Sequence, residues 1–292
     1  MATCPCVPRP ARHCTETMRT LLIDAGNSSV KFAMSDANGL ATATSVPYAA
    51  GTLNVPPEDF QDFRVRLEES LRDRGLARGA TAVGCIVASN TARAAIVAAA
   101  SAVTGTELAW LGAQPVFDHA GTRLVNGYRE PAQLGADRWH AMLGARADAG
   151  GAAFVLVQAG TATTIDGVDA NGLFFGGEIL PGWDMMLASL ARGTARLPHA
   201  TGVAAAFADN TDDAIASGAL DAQAGAVERF WRRCVARHAI DATARLMLTG
   251  GDAQRLAEAL NSSVVFANTA PTIQDNLVLR GLRLRSRLLS VN

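Results

Sequence analysis

Lysine is almost absent from this chain of 292 residues, which has 25 arginines and a single lysine, Lys31. A chain that uses arginine for nearly every positive charge makes its one remaining lysine informative. The lysine ammonium is a compact point charge on a flexible stem, and arginine does not replace it well at a phosphoryl oxygen. We interpret Lys31 as a candidate phosphate contact, against the alternative that it falls by chance on a surface strand.

Net charge and long apolar runs are also lacking. Charged residues make up 18% of the chain and the formal net charge is −1, so no strong field favours nucleic acid or an anionic membrane. The apolar run at 94–100 is far shorter than the roughly 20 residues of a membrane span. With 49% hydrophobic residues, the composition predicts a folded protein with a large core, no nucleic-acid partner and no membrane partner.

Cysteine is scarce, and three of the five cysteines fall within the first 14 residues. That segment, 1–17, has no periodic pattern and no apolar signal region, so we predict a disordered N-terminal extension. The alternatives are a metal site built from these cysteines and His13, or a true start at Met18. Cys85 and Cys234 lie in apolar contexts that indicate reduced core residues, which predicts a cytoplasmic protein.

Several nucleotide-binding motifs are missing. The chain has no G-x-x-x-x-G-K-[ST] sequence, which excludes a P-loop enzyme. No G-x-G-x-x-G follows a predicted strand, which argues against a Rossmann dinucleotide site. Clusters of histidine and cysteine are absent from the body of the chain, so no protein-ligated transition metal is expected there.

Short apolar strands alternate with helical stretches, which is typical of an α/β fold. One feature occurs twice: a strand, a glycine turn, small hydroxyl residues and a second strand, at 21–34 and again at 153–166. Alone, each turn is weak evidence, because such turns are common in hairpins. Together they predict a duplicated nucleotide-binding fold in which both turns bind one phosphate chain from opposite sides.

Three further segments carry weaker expectations. The pattern predicts one helix over 131–147 and a last helix whose arginines at 280–287 form a solvated face. Gly250 and Gly251 follow a strand and precede a helix. They either let the backbone approach an adenine or ribose, or form a plain turn.

Four motifs in order resemble one known family. They are Asp24-x-Gly26-Asn27-Ser28, then Tyr128-x-x-Pro131-x-x-Leu134-Gly135-x-Asp137-Arg138-Trp139, then Gly160-Thr161-Ala162-Thr163-Thr164-x-Asp166, and Gly176-Gly177-x-Ile179-x-Pro181-Gly182. The combination closely resembles the type III pantothenate kinases, a family that includes the Bvg accessory factor proteins. These kinases belong to the actin-like/hexokinase/Hsp70 superfamily, and the resemblance extends from about residue 21 to residue 282.

The resemblance implies two duplicated ribonuclease H-like (actin-like ATPase) domains with a nucleotide cleft between them. We expect boundaries at 18–133 and 134–292, with the last helix packing back on the first domain. The implied reaction is ATP-dependent phosphorylation of pantothenate, the first step of coenzyme A synthesis. The implied cofactors are ATP, Mg²⁺ and a monovalent cation (K⁺ or NH₄⁺), and the implied assembly is a homodimer with the pantothenate pocket at its interface. The alternatives are a non-catalytic regulatory binding protein and a kinase or phosphatase with another acceptor.

The resemblance also implies residue roles. Asp137 matches the catalytic base, and Asp24 matches the Mg²⁺ anchor, acting through water. The residues matching ATP or phosphate contacts are Asp24, Gly26, Asn27, Ser28, Ser29, Lys31 and Thr161. The residues matching substrate contacts are Tyr128, Gly135, Ala136, Asp137, Arg138 and Thr211.

Two expectations concern charge at the site. Phosphoryl transfer has a loose transition state, so a carboxylate with an ordinary pKa near ~3.9 suffices as base. We expect Arg138 to keep Asp137 ionised and to pair with a substrate carboxylate or phosphate. Position 158 departs from the family, which commonly has an acidic residue there that helps to hold the monovalent cation. Gln158 brings no charge, which places that cation site in doubt.

Overall fold

The structure is a computed structural model that describes residues 19–48, 59–76, 78–241 and 243–289. The predicted N-terminal extension and the possible start at Met18 lie outside these ranges, as does the cysteine cluster. Within them, no helix is both long and apolar enough to cross a membrane.

The first half of the chain builds a five-stranded sheet in the order β3-β2-β1-β4-β5. Its strands are β1 (Thr20–Ala25), β2 (Ser29–Ser35), β3 (Thr44–Pro47), β4 (Thr81–Ile86) and β5 (Leu108–Trp110). Helices α1 (Asp59–Arg72) and α2 (Asn90–Thr104) cover one face. β1 pairs antiparallel with β2 and parallel with β4. The apolar positions of β1 alternate between the two faces, as strand geometry requires.

The second half builds a seven-stranded sheet in the order β12-β11-β8-β9-β10-β7-β6. Its strands are β6 (Val116–His119), β7 (Thr122–Asn126), β8 (Phe154–Ala159), β9 (Ala162–Val168), β10 (Leu173–Pro181), β11 (Arg245–Thr249) and β12 (Thr272–Ile273). Its helices are α3 (Ala136–Ala149), α4 (Trp183–Gly193), α5 (Thr211–Ala236), α6 (Ala253–Asn261) and α7 (Leu277–Leu289).

Five strands of the second sheet repeat the plan of the first. β8 pairs antiparallel with β9 and parallel with β11, and β10 and β12 extend the two sides. This is the order and direction of β1, β2, β4, β3 and β5, so β1–β2 and β8–β9 are equivalent hairpins. The predicted α/β fold with two duplicated halves is confirmed.

Helices α3 and α7 lie between the two sheets. Both contribute to one apolar cluster that also contains Leu22 and Val83 of the first sheet and Phe154 of the second. α7 contacts β1, β2 and β4 as well as α3. The domain boundary at 133 stays a prediction; sheet pairing favours a division between β5 and β6, because β6 and β7 pair within the second sheet.

One prediction about helices was wrong, and a second holds only in part. The segment 131–147 is not one helix: a 3-10 turn at Pro131–Gln133 ends at Leu134, and α3 begins anew at Ala136. Leu134 is extended and buried, which breaks the helix and anchors the start of α3. The arginines of α7 form a solvated face only in part: Arg287 is exposed, whereas Arg280 pairs with Asp148, Arg283 donates to Ser35 and Arg285 donates to Gly112.

Candidate active site

The two glycine turns meet across the cleft between the sheets. Ser28 in the β1–β2 turn and Thr161 in the β8–β9 turn form a hydrogen bond of 2.7 Å between their hydroxyl oxygens. The first turn is closed by a hydrogen bond from Gly26 N–H to the carbonyl of Ser29, 3.1 Å long. One hydroxyl from each hairpin therefore meets at one point, as the binding of one phosphate chain from both sides requires.

Asp24, Lys31 and Cys85 share one face of the first sheet. Asp24 is opposite Lys31 in the β1–β2 ladder and opposite Cys85 in the β1–β4 ladder. Leu22, two residues before Asp24, packs on the interdomain cluster. Because side chains two residues apart in a strand lie on the same face, the Asp24 side chain points toward the same cleft. The Cys85 thiol lies 3.8 Å from the Asp24 carboxylate and donates to it.

Asp137 enters the site from the other half of the chain, in the first turn of α3. Gly135 is the N-cap of this helix, and its carbonyl accepts the first helical hydrogen bond, from Trp139 N–H at 3.0 Å. The Asp137 carboxylate turns back and accepts from the Arg138 N–H at 2.8 Å. A Cβ at position 135 would lie 2.7 Å from that carboxylate, so glycine there leaves room for Asp137.

Arg138 is bound by a partner that the sequence analysis did not identify. Its Nε and Nη2 donate to the two carboxylate oxygens of Asp166 on β9, and its Nη1 donates to the Tyr128 hydroxyl at 3.0 Å. Arg138 and Asp166 are both buried, 4% and 0% exposed. Three of the five guanidinium N–H groups are therefore engaged within the protein, which leaves two for a ligand.

Electrostatics link the two halves of the site. Burial, and then the negative charge of Asp137, raise the pKa of Asp24 to about 7, while the Lys31 ammonium opposes the rise. Burial also raises the pKa of Asp137, although the backbone N–H and charge of Arg138 act in the opposite direction. The pKa of Asp137 therefore lies above the ordinary value that would suffice for the base, because desolvation outweighs the neighbouring arginine.

The shift at Asp24 predicts a pH-dependent stability. A pKa raised in the folded state means that the native protein binds the proton more tightly, so Asp24 destabilises the fold progressively as pH rises from about 4 to 7. In metal-free protein, we expect Asp24→Asn to be more stable than the native chain at pH 8 and equal to it near pH 4. Urea unfolding across this range measures the difference. A difference that does not change with pH would contradict the prediction.

The fourth motif supports the second turn and the ion pair. A Cβ at Gly182 would lie 2.0 Å from the Gly160 carbonyl, and one at Gly177 would lie 2.4 Å from the Asp166 carboxylate. Gly250 has a positive φ and its Cβ position would meet the Ala159 backbone at 2.1 Å, whereas the space beside Gly251 is open. Gly177, Gly182 and Gly250 are therefore required by close packing around the β8–β9 hairpin, whereas Gly251 is not.

Gln158 occupies the position in β8 that Asp24 occupies in β1, since each is the last residue but one of its strand. Its amide donates to the Thr164 hydroxyl at 3.3 Å, and that hydroxyl donates to Asp166 at 3.4 Å. Gln158 is thus the outer end of a polar chain that leads through Asp166 to Arg138. Within the part of the chain that the structure describes, no hydrogen bond engages its amide oxygen.

Thr211 is on a different element of the fold from the other predicted substrate contacts. It is exposed at the start of α5, which Asn210 caps by accepting from Asp213 N–H. Within the described ranges, no hydrogen bond connects Thr211 with Tyr128, Gly135, Ala136 or Arg138. The same ranges hold no group of three or more histidine, cysteine or acidic side chains that could by itself bind a metal ion.

Three residues at the site were missed by the sequence analysis. Asp166 stood within a quoted motif but had no assigned role, and Cys85 was assigned only to the core. Tyr48 donates its hydroxyl to the Gly26 carbonyl, and burial, followed by the charge of Asp24, raises its pKa to about 12. Tyr48 and Tyr128 are the two tyrosines of the chain, and that scarcity was the signal available in the sequence.

Sequence relatives agree with this architecture. The family model described as type III pantothenate kinase matches residues 20–233. A type III pantothenate kinase of Cupriavidus pinatubonensis is 40% identical over 281 residues, covering 90% of this chain and 96% of the relative. One of Dechloromonas aromatica is 44% identical over 197 residues, covering 66% of this chain and 76% of the relative. One of Bordetella bronchiseptica is 37% identical over 275 residues, covering 90% and 95%.

Solved structures match the fold at low identity. A putative Baf family transcriptional activator of Campylobacter jejuni superposes with a TM-score of 0.53 at 20% identity, covering 93% of this chain and all of that one. MreB5 of Spiroplasma citri, solved with ADP, has a TM-score of 0.50 at 10% identity, covering 94% of this chain and 98% of that one. These likenesses establish the actin-like fold. With the family match over most of its length, the chain belongs to the type III pantothenate kinase family.

Proposed function

We propose that this protein transfers the γ-phosphoryl group of ATP to the 4′-hydroxyl of pantothenate. The observation that carries the proposal is the meeting of the two glycine turns, at Ser28 and Thr161, beside a pair of carboxylates from opposite halves. The turns supply donors for the phosphate chain, and Lys31 supplies a positive charge on the same face. Asp137 supplies a proton acceptor at the start of a helix.

In the proposed reaction, the Asp137 carboxylate orients the acceptor hydroxyl and takes its proton. The hydroxyl oxygen forms its bond to the γ-phosphorus while the bond to the β,γ-bridging oxygen breaks, and ADP leaves. A raised pKa suits Asp137 to this role, because a carboxylate with a higher pKa accepts the proton more readily. Tyr128 and the two remaining N–H groups of Arg138 face the acceptor in this proposal.

Asp24 fits a bound Mg²⁺ in its chemistry. It is a carboxylate whose pKa is raised by burial and then by the negative charge of Asp137, and Lys31 opposes the rise only in part. Hard oxygen ligands of this kind suit Mg²⁺, which keeps much of its water shell. The ion would neutralise charge on the phosphate oxygens, and we propose Asp24 as its anchor.

Exposed apolar residues support the proposed homodimer. Val203 and Phe207 are 76% and 95% exposed, and Ile179 is 63% exposed. Residues 201–205 lie along the start of α5, where Val203 N–H donates to Asp213. Thr211 is at the same end of α5. We propose that a second copy of the chain covers the surface formed by Val203 and Phe207 beside α5, and brings Thr211 to the substrate pocket.

A cytoplasmic location stays a prediction.

A coupled assay with ATP, Mg²⁺ and pantothenate tests the proposal directly. We expect ADP release that depends on pantothenate, together with a phosphorylated product of matching stoichiometry. Other acceptor alcohols in place of pantothenate test the alternative acceptor. The regulatory alternative predicts nucleotide or pantothenate binding without turnover, and that result would overturn the proposed function.

The cation prediction concerns Gln158. We expect activity to rise modestly with K⁺ or NH₄⁺, because an amide oxygen can bind the ion but contributes no charge. Gln158→Glu should lower the K⁺ concentration needed for half-maximal activity, while Gln274→Glu, placed beyond β12, should leave it unchanged. Full activity of the native protein in salts of large organic cations alone would contradict a cation site at Gln158.

Lys31→Arg tests the interpretation of the single lysine. Arginine retains the charge, but its planar fork is bulkier than an ammonium and meets the partly buried space opposite Asp24. We expect the KM for ATP to rise or kcat to fall by about tenfold, which corresponds to ~1.4 kcal/mol. Steady-state kinetics at saturating pantothenate measure both. Native kinetics would support the chance placement of Lys31.

A further inference from the structure

A buried polar connection lies beneath the two site carboxylates. His140 of α3 is 0% exposed. Its Nδ1 is 2.6 Å from the Ala136 carbonyl oxygen, and its Nε2 is 3.1 Å from Nη1 of Arg285 on α7. The same Nη1 donates to the Gly112 carbonyl, just after β5. One guanidinium thus joins the last helix, the segment between the two sheets and the helix that carries Asp137.

The partners determine the form of the histidine. A carbonyl oxygen can only accept, so Nδ1 carries the hydrogen, and a guanidinium can only donate, so Nε2 presents its lone pair. A doubly protonated ring would direct an N–H at Arg285. Burial, followed by the Arg285 charge, lowers the pKa of His140 to about 3. The connection therefore stays intact across the neutral pH range.

Each end of this connection reaches one site carboxylate. The Ala136 carbonyl belongs to the peptide bond that leads into Asp137, so holding it fixes the peptide plane from which Asp137 projects. The charge of Arg285 also acts on the Cys85 thiol, which donates to Asp24. Arg285 thus supports Asp137 through His140 and is linked electrostatically to Asp24 through Cys85.

We infer that Arg285 and His140 are positioning residues, which hold Asp137 in line with the phosphate turns by fixing the first turn of α3. The inference rests on the proposed function, since it assigns Asp137 the acceptor role. Neither residue has to touch substrate. Displacing a catalytic group by about 1 Å costs as much as 10²-fold in rate, so a loss of this support is expressed in kcat.

Arg280 provides a matched control on the same helix. It also links α7 to α3, but its partner is Asp148, in the last turn of α3 and at the opposite end from Asp137. Arg285→Met and Arg280→Met each remove one guanidinium between the same two helices. Only the first removes the connection to the start of α3.

The test measures kcat and KM for both substrates in Arg285→Met, Arg280→Met, His140→Phe and His140→Asn. We expect kcat to fall about tenfold or more in Arg285→Met and His140→Phe, with both KM values within twofold of native. Arg280→Met should keep native kcat. His140→Asn places an amide N–H near the position of Nδ1 and should recover part of the kcat lost in His140→Phe. Equal decreases in kcat in Arg285→Met and Arg280→Met would overturn the inference, as would an increase in KM with native kcat.

Hydrogen exchange separates this inference from the proposed function. We expect the amides of Trp139 and His140 to exchange faster in Arg285→Met than in native protein, and at the native rate in Arg280→Met. This readout requires neither pantothenate nor turnover. Native exchange in Arg285→Met would overturn the positioning role, whereas a native protein without kinase activity would overturn only the function. If Arg285→Met does not fold, the comparison of His140→Phe with His140→Asn decides on the same criteria.

Discussion

Asp137→Asn should keep the fold, and its kcat should be lower than that of the native protein by ~10²- to ~10⁴-fold. The amide is nearly isosteric with the carboxylate and its oxygen can still accept from Arg138 N–H, so α3 should begin as it does now. It cannot accept the proton of the substrate hydroxyl. Because the negative charge of Asp137 raises the pKa of Asp24, the same substitution should lower that pKa and leave nucleotide binding intact or tighter.

Steady-state kinetics and calorimetric titration with ATP measure the two effects separately. Asp148→Asn is the matched control, because it neutralises a carboxylate in the last turn of the same helix. We expect native kcat in that variant. Turnover within a few-fold of native in Asp137→Asn would show that another group accepts the proton.

Asp166→Ala should destabilise the protein by about 3–5 kcal/mol, because it leaves the Arg138 guanidinium buried without its carboxylate. Among the described residues, the remaining hydrogen-bond acceptor of that guanidinium is the Tyr128 hydroxyl, which carries no charge. Since Tyr128 and Arg138 both belong to the proposed pantothenate pocket, the affinity for pantothenate should fall as well. Urea unfolding and isothermal titration measure these two losses.

A surface pair of the same type supplies the control. Arg233 and Glu178 form an ion pair whose side chains are 43% and 32% exposed, and exposed pairs contribute roughly 1 kcal/mol or less. Glu178→Gln should therefore change the free energy of unfolding little. The double variant Arg138→Met/Asp166→Leu, which removes both buried charges, should recover much of the stability and none of the pantothenate affinity. A small loss in Asp166→Ala would show that water or a rearranged side chain compensates Arg138.

The duplicated hairpins could be predicted from the sequence because their signals are local. A strand, a glycine turn and hydroxyl residues occupy 14 residues at each site, and the second copy removes the ambiguity of the first. Fold class and family followed from the same segments. The spacing of the hairpins indicated the duplication, whereas the sheet order that the two halves share is seen only in the structure.

The partner of Arg138 could not be predicted, because it lies 28 positions away and is selected by the packing of α3 on β9. Local charge patterning favoured the neighbour Asp137, whereas the guanidinium turns inward to Asp166. The break between Leu134 and Ala136 was missed for a related reason. Burial of Leu134 in the interdomain cluster overrides the helical pattern of 131–147.

The pKa of Asp24 and the contact with Cys85 depend on which face of the sheet each side chain occupies. Register determines that face, and a shift of one residue in β1 would reverse it. The sequence contained the alternation of β1 but not its pairing with β4. The roles of Tyr48 and Arg285 likewise required the relative placement of segments more than 20 positions apart.

The position of α7 has a consequence for biosynthesis. Leu277, Leu279 and Leu282 complete the apolar cluster that covers the inner face of β1 and β4. These residues leave the ribosome well after the strands they cover. Domains otherwise tend to fold in the order of their synthesis. The first sheet of this protein therefore emerges with one face uncovered, and that face stays uncovered until α7 has been translated.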